Sequence, residues 1–151
     1  MKRVFLGGTC SSEWREVMIP LLEKAGLGYF NPVLPDSEDW NEEAQQIELN
    51  ERAACDFCVY TITPKMDGVY SIAEVVDDSN KRPQKVIFVV LENDGKDTFT
   101  ADQLKSLESV GLMIERNKGL YCQDLETAVK HMFTTVAMEE LATNPDWPWK
   151  A

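Results

Sequence analysis

The sequence predicts one α/β domain in which a parallel sheet of four to five strands lies between two layers of helices, as in flavodoxin-like and Rossmann-like proteins. First, short apolar segments alternate with longer amphipathic segments along the chain. Second, residues 84–92 are nearly all apolar, as expected for a strand that is buried on both faces of a parallel sheet. Third, 151 residues suffice for one good core, and no repeat or linker divides them.

The first part of the chain is predicted to supply three strands and two helices. A glycine pair ends the first strand, Ser11 or Ser12 caps the first helix, and Gly26 ends that helix. Pro20 lies inside the same helix and predicts a kink or an early break. In chain order, the predicted elements are a strand at 3–8, a helix at 11–26, a strand at 27–33, a polar helix at 41–55 and a strand at 56–63.

The second part is predicted to continue the alternation and to end in a long helix. Gly111 is expected to close one helix, so that residues 112–115 form a short fifth strand. The predicted domain covers residues 1–142, and an aromatic tail follows at 143–151. Helices are predicted at 71–80, 100–111 and 122–142, and the apolar stripe of the last one comprises Leu125, Ala128, Val129, Met132, Phe133, Val136 and Leu141.

The charge balance bears on the class of partner. The chain has 26 acidic residues against 15 Lys and Arg, a net charge of -11, so DNA, RNA and anionic membranes are poor partners. One small anion such as a nucleotide is not excluded, because it needs only a few backbone N–H groups or a helix N-terminus. No apolar run approaches the roughly 18 residues that span a bilayer. We therefore expect a cytoplasmic protein.

Four cysteines are present, and two of them have CxxC spacing. Cys55 and Cys58 could form a redox pair or half of a metal site. However, the pair runs into an apolar strand instead of a strand-to-helix turn, and the one histidine, His131, lies on the last helix. Buried structural thiols are the interpretation that we favour, and we expect neither a metal nor a cofactor.

The expected ligand site lies at the carboxyl ends of the strands, where connections diverge to opposite faces of such a sheet. The loop after the first strand holds Gly7, Gly8, Thr9 and Ser11. Its glycines would let backbone N–H groups approach a ligand, and its hydroxyls suit a phosphate or a sugar. A glycine-rich turn with a serine cap is the alternative, and the pattern does not decide between them.

Two further loops at this edge contain candidate binding residues. The second loop, between Asn31 and Trp40, offers an indole that could stack on a base or plug the loop against the core. In the third loop, Asp67 and Ser71 precede Glu74. The spacing of Ser71 and Glu74 matches a capping box, in which the glutamate bonds the start of its own helix. The alternative is a carboxylate that faces a ligand.

Three segments resemble the nucleoside 2-deoxyribosyltransferase-like superfamily, in particular its short phage and bacterial branch. They read VFLGGTC near the start, ERAACDFCVYTITP in the middle and DGVYSIAEV after it. The resemblance covers roughly residues 3–92. It implies a catalytic glutamate on the helix after the middle strand, a nucleoside or nucleotide as ligand, and a homodimer or higher homo-oligomer.

Carried over by position, the resemblance implies Glu74 as the nucleophile and Asp67 as the acid that positions the nucleoside or shuttles a proton to its base. Asp56 matches the aspartate that opens the middle strand, and Gly7 and Gly8 match the loop that contacts substrate. The spacing from Asp67 to Glu74 is one residue longer than in the family pattern. The side chains at positions 69 and 70 are also larger, and we expect them to crowd the turn.

Three functions are consistent with these residues. The first is an enzyme that cleaves or exchanges the N-glycosidic bond of nucleosides or nucleoside monophosphates. The second is a module of the same fold that binds or senses a nucleotide without turnover, which the altered spacing favours. The third is a domain that processes NAD, related to TIR-type folds.

Overall fold

The predicted three-layer α/β/α fold is confirmed. The computed structural model describes residues 1–34 and 40–148. Its main sheet has five parallel strands in the order β2-β1-β3-β4-β7, which is the flavodoxin-like order. The strands of this sheet are β1 (Arg3–Gly8), β2 (Gly28–Phe30), β3 (Phe57–Ile62), β4 (Val86–Val90) and β7 (Leu120–Cys122), and a small antiparallel hairpin comprises β5 (Asn93–Asp94) and β6 (Asp97–Thr98).

Helices cover both faces of the sheet. Successive side chains of a strand point to opposite faces, so Val59 joins the core on one side of β3 and Tyr60 joins the core on the other. The first core packs against α1 and α5, and the second packs against α3 and α4. The helices are α1 (Trp14–Lys24), α2 (Glu42–Ala54), α3 (Tyr70–Lys81), α4 (Ala101–Arg116) and α5 (Leu125–Thr143), with a 3-10 turn at Pro83–Lys85.

The topology creates a crevice between the carboxyl ends of β1 and β3. These strands are neighbours in register, with Leu6 opposite Val59 and Gly8 opposite Thr61. The chain leaves β1 through α1 on one face of the sheet and leaves β3 through α3 on the other. The two connections therefore diverge at this point, which is where open parallel sheets bind ligands.

The prediction of a fifth strand at residues 112–115 was wrong. Those residues belong to α4, which continues through Gly111 to Arg116. Gly111 is buried against the ring of Tyr121, and an added Cβ would lie 2.5 Å from Tyr121 Cδ1. The glycine therefore allows the helix to approach β7 closely and does not end it. The fifth strand of the sheet is β7, whose Leu120 pairs with Ile87 of β4.

Smaller differences concern helix α1 and helix α5. Pro20 lies within α1 but does not break it, because the helix continues to Lys24 before Gly26 adopts a φ of 72°. The N-cap of α1 is Glu13, one residue after the predicted serines. In α5 the predicted stripe is buried as far as Met132, whereas Phe133 is 53% exposed.

The two cysteines of the CxxC segment are buried in the second core, as predicted. Burial raises the pKa of Cys58 to about 12 and the pKa of Cys55 to about 11, so both thiols are neutral. Within residues 1–34 and 40–148, no group of His, Cys, Asp and Glu side chains is arranged to hold a metal ion. Across the same residues, no helix is long and apolar enough to cross a membrane.

Gly8 is a position where a side chain should be strongly destabilising. Its φ is 116°, and an added Cβ would overlap the backbone oxygen of Thr61 on the neighbouring strand. We expect Gly8→Ala to lower the free energy of unfolding by at least about 2 kcal/mol in urea titrations, because backbone strain and overlap both contribute. Gly26→Ala is the matched control, since Gly26 has a φ of 72° but open space around it. It should cost about 1 kcal/mol. Equal losses for the two variants would contradict the account of Gly8.

Candidate active site

A cavity of about 450 Å³ lies at the predicted crevice. Its floor is formed by the loop after β1 and by the loop between β3 and α3. Helix α2 forms one wall through Gln45, Glu48, Leu49 and Arg52, and residues 32–34 with Trp40 form part of the rim. The cavity therefore has a size typical of sites for small molecules.

Most of the candidate site residues lie together around this cavity. Gly7, Gly8, Thr9, Ser11, Trp40, Asp67, Ser71 and Glu74 all line it. They come from three separate stretches of chain, which the sheet brings together because the carboxyl ends of β1 and β3 are adjacent. Asp56 and Asn31 do not line the cavity.

Asp56 lies at the opposite edge of the sheet. It directly precedes β3, whereas the cavity is at the far end of that strand, and a strand of six residues spans about 20 Å. Its carboxylate accepts a hydrogen bond of 2.9 Å from the backbone N–H of Arg3 and lies 3.6 Å from Lys2 Nζ. Asp56 therefore fastens the start of β1 to β3 and has no place in the mechanism proposed below.

Asn31 shapes the second loop from outside the cavity. Its Oδ1 accepts a hydrogen bond of 3.1 Å from the N–H of Val33, which closes a local turn. Trp40 at the other end of the loop is 57% exposed and lines the cavity, so it is not a buried plug. Its indole is therefore available for stacking. The sequence of this loop also contains Asp36 and Asp39, which lie outside the described residues.

The capping box predicted for Ser71 and Glu74 is not formed. Helix α3 begins one residue earlier, with Val69 as its N-cap and no side-chain capping bond. Val69 is 71% exposed, and Tyr70 is exposed where it lines the cavity, so neither side chain is packed into the turn as we expected. The carboxylate of Glu74 is therefore not engaged by the start of its own helix.

Glu74 is instead a buried carboxylate at the base of the cavity. The residue is 6% exposed, and its Oε2 is buried without a hydrogen bond. The nearest cation is Arg52 of α2, whose Nη1 lies 3.3 Å from Oε2. A carboxylate in this setting has lost its water shell and keeps one charge partner.

A network on the far side of Arg52 fixes the guanidinium. Nε donates to the hydroxyl of Tyr60 at 3.0 Å, and Nη2 donates to Asp78 Oδ1 at 2.9 Å. The Tyr60 hydroxyl donates to Asp78, and Arg82 donates to the same carboxylate at 2.9 Å. Arg52 and Asp78 are almost fully buried. When Glu74 is ionised, two cations and two anions balance in this network.

The surroundings of Glu74 shift its titration toward neutral pH. Burial raises the pKa of Glu74 to about 7, and the nearby charges of Glu48 and Asp78 act in the same direction. Arg52 opposes them by stabilising the ionised form. Both protonation states of Glu74 are therefore populated near pH 7, which is a property common to catalytic carboxyl groups.

The loop after β1 is held rigidly by Thr9 and Arg15. The Thr63 N–H donates to Thr9 Oγ1 at 3.0 Å, and the Thr9 N–H donates to Thr61 O at 2.9 Å. Arg15 is buried and donates to the backbone oxygens of Leu6 and Thr9. Among the described residues, no carboxylate lies within ion-pair distance of Arg15, although this arginine lines the cavity.

Asp94 ties the loops at this edge together from the start of the β5–β6 hairpin. Its Oδ2 accepts a hydrogen bond of 2.6 Å from the Thr63 hydroxyl, and its Oδ1 lies 3.6 Å from Lys65 Nζ. Burial alone would raise its pKa, but hydrogen bonds from Ser12 and Thr63 and the charge of Lys65 lower the pKa of Asp94 below its usual range. It is therefore ionised at neutral pH.

Sequence reasoning missed Arg52 and Arg15, which line the cavity, and Asp94, which supports the loops beside it. A signal for Arg52 was present, because Glu74 and Asp78 lie four residues apart on one face of a helix. Two carboxylates on a face that packs against the sheet require a cation. The sequence carried no signal for the hydrogen bonds of Arg15 to the backbone oxygens of Leu6 and Thr9.

The fold and the cavity define a flavodoxin-like α/β protein with a cavity of the size typical of small-molecule sites and a buried glutamate at its base. A family described as nucleoside 2-deoxyribosyltransferase like matches residues 1–94, which is more than half of the chain, and the chain belongs to that family. Of the residues that the structure describes, all those that line the cavity lie within this matched region. Comparisons with curated proteins and with solved structures found no match.

The buried carboxylate should make stability depend on pH in a defined direction. The pKa of Glu74 is raised from 4.5 to about 7 on folding, so stability is lost as pH rises through this interval. Glu74→Gln removes that loss. Urea titrations give the free energy of unfolding of the variant minus that of the unaltered protein. We expect this difference to increase by about 2 kcal/mol from pH 5 to pH 8. The exposed Glu16→Gln should change stability by less than about 0.5 kcal/mol at both pH values. A difference that does not depend on pH would contradict the burial of an ionisable Glu74.

Proposed function

We propose that the protein cleaves or exchanges the N-glycosidic bond of nucleosides, deoxynucleosides or nucleoside monophosphates, with Glu74 as the nucleophile. One observation supports this proposal above the others. A buried carboxylate lies at the base of a cavity of suitable size, and its own helix start does not engage it. Membership of the family supports a nucleoside-type ligand.

The proposed reaction has two steps. In the first, the bond between C1′ and the base breaks, the electron pair leaves with the base nitrogen, and Glu74 bonds to C1′ through one oxygen. The sugar becomes positively charged in the transition state, which a carboxylate stabilises. In the second step, water or another base attacks C1′, the bond between C1′ and Glu74 breaks with its electron pair on the carboxylate, and the proton of the attacking group passes to Asp67 or to solvent. Water gives hydrolysis, and a base gives transfer, as in the two-carboxyl scheme of retaining glycosidases.

Asp67 is the residue that we propose to assist the departing base. It lines the same cavity from the loop before α3 and is exposed, so it can reach a ligand and exchange protons with solvent. A carboxyl group there can position the nucleoside or donate the proton that the leaving base requires. A water molecule can replace it as donor, so Asp67 has a smaller role than Glu74.

The remaining cavity residues fit the parts of a nucleoside. Trp40 and Tyr70 at the rim offer aromatic faces on which a base can stack. Thr9 and Ser11 offer hydroxyl groups at the loop after β1, and Arg15 adds a positive charge beside them. This arrangement favours a nucleoside monophosphate, because its phosphate would compensate the buried charge of Arg15.

Two further predictions belong to this proposal. We expect a homodimer or higher homo-oligomer, which the exposed Phe133 and Met138 on α5 support. We also expect the protein to act in the cytoplasm.

A nucleotide-binding module without turnover is the second candidate. The ion pair of 3.3 Å between Glu74 and Arg52 favours it, because a paired carboxylate is a weaker nucleophile than a free one. Such a module would bind the same ligands and raise the melting temperature without releasing a base.

Replacement of Glu74 tests the two functions against each other. The protein would be incubated with deoxynucleosides, deoxynucleoside monophosphates and NAD, and free base or nicotinamide measured by chromatography. We expect base release by the unaltered protein, with kcat rising through about pH 7 as Glu74 ionises. Glu74→Ala should reduce base release by at least about 1,000-fold.

Asp56→Asn is the control for that experiment, because Asp56 lies at the other edge of the sheet. Its base release should equal that of the unaltered protein. Wild-type rates in Glu74→Ala would exclude Glu74 as the nucleophile. A raised melting temperature without any product would support the binding module instead.

A further inference from the structure

We propose that Arg52 is a positioning residue for Glu74, which it holds by Oε2 so that Oε1 is the oxygen that bonds to C1′. This inference rests on the proposed function. It concerns the network behind the cavity, of which Arg52 is the one member that contacts Glu74 directly.

The geometry of Arg52 supports a fixed orientation. Its Nε and Nη2 are held by Tyr60 on β3 and by Asp78 on α3, at 3.0 Å and 2.9 Å. A planar guanidinium that is held along one edge by two partners cannot rotate freely. The remaining nitrogen, Nη1, then lies 3.3 Å from Glu74 Oε2. The position of the Glu74 carboxylate is therefore coupled to the sheet and to the helix behind it.

The charges of the network give Arg52 a second effect. With Glu74 ionised, Arg52 and Arg82 are balanced by Asp78 and Glu74. When Glu74 forms a bond to C1′ it loses its charge, and Arg52 loses one of its anionic partners, while Asp78 and Asp77 remain beside it. The loss of that partner favours return of Glu74 to the carboxylate. Arg52 therefore assists both the formation of the nucleophile and its release in the second step.

The other charged groups near Glu74 act against ionisation. Glu48 on α2 and Asp78 on α3 both raise the pKa of Glu74, as does burial, and Arg52 is the group that lowers it. Asp77 lies 3.7 Å from Arg52 Nη2 and is about half exposed. Loss of Arg52 alone should therefore shift the titration of Glu74 upward.

The test follows the titration of Glu74 directly and needs no substrate. Protein labelled with ¹³C at glutamate carboxyl groups would be titrated by NMR, and the Glu74 signal identified by its loss in Glu74→Gln. We expect Arg52→Gln to raise the pKa of Glu74 by about one pH unit or more, because an opposite charge within ion-pair distance is removed. Arg52→Lys should keep most of the wild-type titration, since it retains the charge.

Measurements of kcat then distinguish the effect of the charge of Arg52 from its effect on the position of Glu74. Lysine lacks the planar fork, so Arg52→Lys should lower kcat by up to about 100-fold while its pH profile remains near that of the unaltered protein. Tyr60→Phe, which removes one support of the guanidinium, should lower kcat less. Urea titrations would establish that each variant is folded. If Arg52→Gln does not fold, the lysine variant provides the test, and full kcat in it would overturn the proposal.

The outcomes distinguish this inference from the proposed function. If the pKa of Glu74 is the same in Arg52→Gln as in the unaltered protein, Arg52 does not act on Glu74. This conclusion holds whatever the activity of the variant. If the titration shifts but no nucleoside releases its base, the pairing stands and the nucleophile assignment fails. A lower kcat in Arg52→Gln with an unchanged pH profile would indicate a merely structural role and would also overturn the inference.

Discussion

The buried interaction of Arg52 with Glu74 and Asp78 is the constraint on which the rest of the site depends. It joins α2 to α3 over the face of β3 that carries Tyr60, whose hydroxyl accepts a further hydrogen bond from Arg52. Buried ion pairs cost much desolvation and add little net stability, so their presence in a small domain requires another reason. Holding a desolvated carboxylate in one position beneath a cavity is such a reason. Removal of Arg52 would leave the buried carboxylate of Glu74 without its ion-pair partner.

The fold supplies the remaining requirements for chemistry at this position. The flavodoxin-like strand order makes the connections after β1 and β3 diverge, which opens the cavity. Gly8 allows the backbone of the first loop to lie against Thr61, and Asp94 fastens the loops at this edge. The site is therefore built on rigid elements, and the exposed aromatic side chains at the rim are left to adapt to a ligand. This division suits the proposed activity, which would require C1′ to be held precisely while different bases are accepted.

Local sequence patterns predicted most of the fold but not the contacts between distant elements. The buried strands and the polar helix α2 followed from apolar runs and periodicity. The prediction that Gly111 ends a helix was wrong, because a glycine that allows close packing looks the same in sequence as one that ends a helix. Asp56 directly precedes a parallel strand, and this position already implied that it lies at the edge of the sheet opposite the cavity. The spacing of Glu74 and Asp78 indicated that a cation was needed, but which cation pairs with Glu74 depends on how α2 and α3 pack, and the local sequence does not specify that.

A crystal structure of the Glu74→Gln variant with a bound deoxynucleoside monophosphate tests the central claim most directly, because this variant retains the shape of the site without the proposed nucleophile. The account predicts that C1′ of the sugar lies about 3 to 3.5 Å from the side-chain oxygen at position 74, on the face of the sugar opposite the base. A ligand whose C1′ lies far from that position, or whose base points toward Arg52, would contradict it.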